Sequence, residues 1–94
     1  MTNRDFQDGP SGSAISLKHL VFYLKQGREI EFRFEGKEYF ISNEQKGRTV
    51  WSGKSRLCDS YSDEQIDSLL AVRLDGTSIQ DIFHSLQGSI QTIF

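Results

Sequence analysis

A chain of 94 residues, 36% of them apolar and 12% aromatic, suffices for one domain with one core but leaves no room for a separate catalytic lobe, and this is not the composition of a disordered chain. The formal net charge of -2 conceals a division, because residues 45–58 carry four cations and no acid whereas residues 59–94 carry one cation and six acids. Cys58 stands alone, which excludes an internal disulfide and a zinc-binding cysteine pair and suits a reducing cytosol.

No apolar run approaches the roughly 18 residues of a membrane helix, and the opening MTNRDFQDGPSGSA lacks the basic start and apolar stretch of a signal peptide. The expectation is a cytoplasmic protein with no membrane partner. Residues 1–14, with Gly9, Pro10 and Gly12 among small polar residues, read as a mobile tail, and residues 15–94 as a single α+β domain.

In SLKHLVFYLKQG, the spacing of Leu17, Leu20, Val21 and Leu24 predicts a helix with Ser16 as its N-cap and Gly27 just past its end. Phe22 points away from that apolar stripe. It needs either cover from the tail or a loop, or an external partner.

In REIEFRFEGKEYFIS the period changes to two and predicts a β-hairpin. A Glu35-Gly36 loop pairs Arg33 with Glu38, Phe32 with Tyr39 and Ile30 with Ile41, avoiding the facing glutamates of a Gly36-Lys37 loop. That register requires a positive φ at Glu35. RTVWS then reads as a third strand, with Thr49 and Trp51 on one face and Val50 on the other, and the sequence does not settle which face is inward.

A capping-box pattern at Ser62 and Gln65 opens a short helix carrying Ile66, Leu69 and Leu70. Asp75-Gly76 marks a turn before a second short helix with Ile79, Ile82, Phe83 and Leu86 on one face, ended by Gly88. Ile90, Thr92 and Phe94 alternate as in a terminal strand, although six residues at a C-terminus also fit an extended packed tail. The predicted architecture is an N-terminal helix packed on a three-stranded antiparallel meander, followed by two short helices and a C-terminal strand.

Catalytic signals are weak throughout. His19 and His84 lie far apart and neither shares a helical face with another ligand type, so no metal site is expected. Lys54 and Arg56 near Cys58 would make an exposed thiol reactive without making it catalytic, since no oxyanion donor or orienting acid accompanies it. DGTS lacks the glycines and lysine of a phosphate loop, and Gly36-Lys37 sits on a hairpin with no helix N-terminus following. The carboxylates Glu29, Glu31, Glu35 and Glu38 belong to a solvated charged face, not a desolvated acid-base pair. No catalytic residue, metal or cofactor is assigned.

The candidate binding residues are Lys46, Arg48, Trp51, Lys54, Arg56 and Tyr61, which combine phosphate-seeking cations with rings that can stack, together with Phe22. The stretch LKQGREIEFRFEGKEYFIS, then Trp51 and LDGTSIQDIF, resembles short uncharacterised proteins of Gram-positive bacteria and their phages over roughly residues 17 to 83. The resemblance implies no activity and carries over no functional residue. It implies a phage or mobile-element setting, where small acidic proteins act as regulators or as inhibitors of host defence, as anti-CRISPR proteins do. The first expectation is a non-enzymatic module that binds another protein, its acidic C-terminal third mimicking nucleic acid toward a basic partner. The alternative is a small nucleic-acid-binding module using segment 45–58.

Overall fold

A computed structural model describes residues 14–94, so residues 1–13 of the expected tail lie outside the described residues. The first helix, α1 (Leu17–Lys25), begins where Ser16 accepts a hydrogen bond from the His19 amide at 3.1 Å. It ends at Gln26 with Gly27 at φ 79°, a left-handed position that glycine adopts without a Cβ penalty. Its core face holds Leu20, Tyr23 and Leu24, all fully buried, while Leu17 and Val21 pack at the margin. Tyr23 therefore takes a core place that the leucine stripe did not predict.

The hairpin is β1 (Ile30–Phe34) and β2 (Lys37–Glu44), in the predicted register: Ile30 opposite Ile41, Phe32 opposite Tyr39, Arg33 opposite Glu38. Glu35 sits at φ 51° and Gly36 at φ 77°, the doubly left-handed loop that matches strand twist. The Phe32 and Tyr39 rings stack with centroids 5.5 Å apart, and Arg33 bonds Glu38 at 2.7 Å. A third strand, β3 (Gly47–Ser52), pairs with β2 and turns Val50 inward, which places Thr49 and Trp51 outward.

The predicted three-stranded meander is the centre of a larger sheet. A two-residue strand, β4 (Ser55–Arg56), extends it beyond β3. A 3-10 turn at Asp63–Gln65 leads into α2 (Ile66–Leu70), and the Ser62 amide donates to Gln65 Oε1 at 3.2 Å, as the capping pattern requires. Asp75-Gly76 forms the tip of a miniature hairpin, β5 (Arg73–Leu74) with β6 (Thr77–Ser78), before α3 (Ile79–His84). The terminal segment is a strand, β7 (Ser89–Ile93), lying antiparallel beside β1, so the sheet order is β4-β3-β2-β1-β7.

α3 stops earlier than its periodicity suggests. Ser85 is its C-cap, Leu86 takes φ 59° and Gln87 donates back to the Ile82 carbonyl at 2.9 Å, a Schellman-type closure. Leu86 is consequently 56% exposed instead of continuing the apolar face. Gly88 serves packing, because a Cβ there would lie 2.8 Å from the Phe83 ring.

The three described helices pack on one face of the sheet. The core joins Leu20, Tyr23 and Leu24 of α1, Leu69 and Leu70 of α2, and Ile79, Ile82 and Phe83 of α3 with Ile30, Phe32, Phe34, Tyr39, Ile41, Val50 and Ile90 from the strands. The Phe83 ring meets Phe32 edge-on at 5.1 Å. No described helix is long and apolar enough to cross a membrane.

Candidate functional site: the sheet face opposite the helices

Strand alternation that sends Tyr39, Ile41 and Val50 into the core sends Phe40, Ser42, Thr49 and Trp51 to the opposite face. The ladders align one row across all five strands on that face: Thr92, Glu31, Phe40, Trp51 and Arg56. None of the described helices covers this row. The Phe40 ring meets Phe94 edge-on at 5.9 Å, and Phe94 is 61% exposed. Two half-buried aromatic rings and one exposed ring thus lie together on a surface where a solvated sheet normally carries polar side chains.

Hydrogen bonds hold this surface in place. The Trp51 indole donates from Nε1 to Ser42 Oγ at 3.1 Å, and Ser42 Oγ lies 3.0 Å from Glu44 Oε2, to which it donates. Thr49 Oγ1 and Ser60 Oγ share a hydrogen bond of 2.9 Å. Thr92 Oγ1 donates to Glu31 Oε1 at 3.0 Å, and the Asn43 amide donates to Glu29 Oε2 at 2.9 Å. Ser42 and Thr49 are buried, and both hydroxyls have partners, Ser42 in Trp51 and Glu44 and Thr49 in Ser60 of the loop after β4.

Shallow clefts open on the face among the described residues. One, of about 350 Å³, is lined by Glu29, Phe40, Ser42, Glu44, Trp51 and Gly53. A second, of about 360 Å³, lies beside Glu31, Phe40 and Phe94. A third, of about 440 Å³, runs past Glu44, Lys46, Thr49, Trp51, Arg56 and Ser60.

The candidate residues from the sequence divide among different places. Trp51, Lys46 and Arg56 border the third cleft, and Lys54 is exposed at the β3-β4 turn. Arg56 is partly committed to its own loop, donating to the Cys58 carbonyl at 2.8 Å and to Ser60 Oγ at 3.2 Å. Arg48 is no surface cation: it is 3% exposed, donates to the Leu24 carbonyl at the end of α1 and pairs with Asp63. Its place facing the helix layer follows from the same alternation that turns Val50 inward. Tyr61 pairs its backbone with Arg48 and packs at the core margin, so it is not brought beside Trp51. Phe22 also packs at the core margin, its ring 6.1 Å from Tyr23; cover from residues 1–13 lies outside the described residues.

Cys58 is half-buried, and its sulfur accepts a hydrogen bond from the Val50 amide at 3.3 Å. Among the described residues no three His, Cys, Asp or Glu side chains are grouped to hold a metal ion. The residues that sequence reasoning missed are Phe40 and Phe94, with Glu29 and Glu44 beside them. The signal was present, since a strand with Tyr39 and Ile41 inward must hold Phe40 outward. Comparison with protein-family models, curated proteins and solved structures finds no match.

Proposed function

We propose that the protein is a non-enzymatic binding module whose contact surface for another protein is the face of its five-stranded sheet opposite the described helices. The observation that carries this is the contiguous Phe40, Trp51 and Phe94 surface, fixed by the Ser42 and Glu44 hydrogen bonds and covered by none of the described helices. Aromatic side chains in such a position supply large contact area at small entropic cost, the usual composition of a protein-contact centre. In the phage or mobile-element setting that the sequence resemblance suggests, such a module would act as an inhibitor or regulator of a host protein.

The nucleic-acid alternative draws support from the cleft that sets Lys46 and Arg56 around Trp51. It is weakened by the burial of Arg48, which leaves three of the four cations of segment 45–58 on the surface, and by Glu29, Glu31 and Glu44 on the same face.

Affinity capture from source-cell lysate with three forms of the full chain separates these possibilities. A Phe40→Ser, Phe94→Ser form should lose a specific co-purifying protein that the parent chain and a helix-side control, Gln80→Ala, both retain. Identical captured proteins with all three forms would count against the face. Capture that nuclease treatment abolishes would promote the nucleic-acid alternative.

A further inference from the structure

The cleft between Phe40 and Trp51 has the chemistry of a cation site. Its floor is Ser42, its lining includes the Phe40 and Trp51 side chains, and Glu29 and Glu44 stand at its rim. Each carboxylate already has one neutral donor, the Asn43 amide for Glu29 and the Ser42 hydroxyl for Glu44. Glu31, beside Phe40 in the same row, likewise accepts from the neutral hydroxyl of Thr92. Among the described residues no lysine or arginine pairs with any of these three acids, whereas Glu38 has Arg33 and Asp75 has Lys37. Among the described residues, the acids lining the cleft between Phe40 and Trp51 are thus without a salt-bridge partner.

Resting on the docking reading above, we propose that this cleft takes an arginine side chain from a basic, acid-poor segment of the partner protein. A guanidinium is planar and weakly hydrated, so it can lie against the Trp51 indole while its N–H groups reach Glu29 and Glu44. The indole is already anchored by its bond to Ser42, so little ordering is required on binding. A lysine ammonium would satisfy the carboxylates but stack less well. A second copy of this chain is the poorer occupant, because apposing two such faces brings their uncompensated carboxylates together. Phosphate is repelled by the same acids.

Trp51 is the chain's single tryptophan, so its emission reports directly on the cleft. The test titrates the full chain with three octapeptides alternating glycine with arginine, lysine or glutamate, and with an oligothymidine. Saturable change in Trp51 emission is expected with the arginine peptide, weaker change with lysine and none with glutamate. A Glu29→Gln, Glu44→Gln form, shown folded by circular dichroism, should lose about tenfold or more in affinity, the size of a charge-assisted contact. Raising salt from about 0.05 to 0.5 M should weaken binding by parent chain but hardly affect the double variant.

Equal binding of the arginine peptide by parent and variant, or no response to it, overturns the arginine assignment. A preference for the glutamate peptide or for oligothymidine overturns it too. Face-dependent capture from lysate would then still stand, so the two proposals fail separately. Concentration-dependent dimerisation that quenches Trp51 and disappears in Phe40→Ser would transfer the cleft to a second copy.

Discussion

Arg48 donates from Nη2 to the backbone carbonyl of Leu24, so a side chain of β3 closes the final turn of α1. The last carbonyls of a helix have no partner within it, and a buried guanidinium supplies one here. The opposite end of the guanidinium reaches Asp63, which is largely in solvent, at the 3-10 turn before α2. One side chain thereby links the sheet, the first helix and the start of the second.

Arg48→Met keeps most of the aliphatic volume and removes these donors. The Leu24 carbonyl retains its bond from the Gly27 amide at 3.0 Å, which limits the loss. The expected cost is about 1 to 3 kcal/mol, that of depriving a buried polar group of a partner. Urea denaturation should show it as a lower midpoint at unchanged slope. Stability equal to the parent would mean that Arg48 does not hold the helix end.

Phe32 lies between Tyr39, with ring centroids 5.5 Å apart, and Phe83, at 5.1 Å, and is fully buried. Phe32→Ala removes contacts on both the hairpin and α3. A loss of about 3 to 5 kcal/mol is expected, as for other buried phenylalanines. A chemical-denaturation midpoint unchanged by the substitution would contradict the register of β1 and β2.

Local chemistry made much of this fold legible. Ser16 and Gly27 bracket α1, the charge pairing of Arg33 with Glu38 selects the hairpin register, and Ser62 with Gln65 announces the turn into α2. Relations between distant segments were not legible. Nothing local to Ser89–Ile93 says that it pairs with β1, and β4 exists only because β3 offers it an edge. The candidate site suffered from the same limit: four neighbouring cations look like one patch, yet alternation buries Arg48 and the loop engages Arg56. Trp51 was identified, but its companions come from β2 and the C-terminus.

Two glycines of the β3 region should respond differently to alanine. Gly47 has φ 122°, and a Cβ there would meet the Tyr61 carbonyl oxygen at 2.4 Å, where the backbone of Tyr61 pairs with Arg48. Gly53 has φ 59° and open space around it. Gly53→Ala should cost about 1 to 2 kcal/mol, the penalty of a left-handed alanine. Gly47→Ala should cost several times more, because backbone must move as well. Thermal unfolding of the two variants side by side tests the ordering, and equal midpoints would refute it.

Leu86 offers the reverse case, a large apolar residue in a left-handed position that also leaves it 56% exposed. Leu86→Gly removes the Cβ strain at the end of α3 and sacrifices little packing. A gain of about 0.5 to 1 kcal/mol is expected, since glycine is the preferred residue at this point of a helix stop. A clear loss of stability by denaturant titration would show that Leu86 packs more than its exposure indicates.

Alkaline pH should expose a linkage between the hairpin and the β5-β6 turn. Burial pushes the Tyr39 phenol above its ordinary range, with the Asp75 carboxylate adding in the same direction. Lys37 is also raised, chiefly by its 2.8 Å hydrogen bond to Asp75 and the attraction of that charge. Both groups hold their protons more tightly when folded than when unfolded. Their contribution to stability is therefore complete below the unfolded-state values and is lost as pH rises through the folded-state ones. The denaturation midpoint should show no loss from these groups between about pH 7 and 9 and should fall above about pH 10. Tyr39→Phe removes the buried phenol and should flatten the larger part of that fall, because Lys37 is exposed and its ion pair is screened by water. A decline of the same depth in Tyr39→Phe would assign the alkaline transition to other groups.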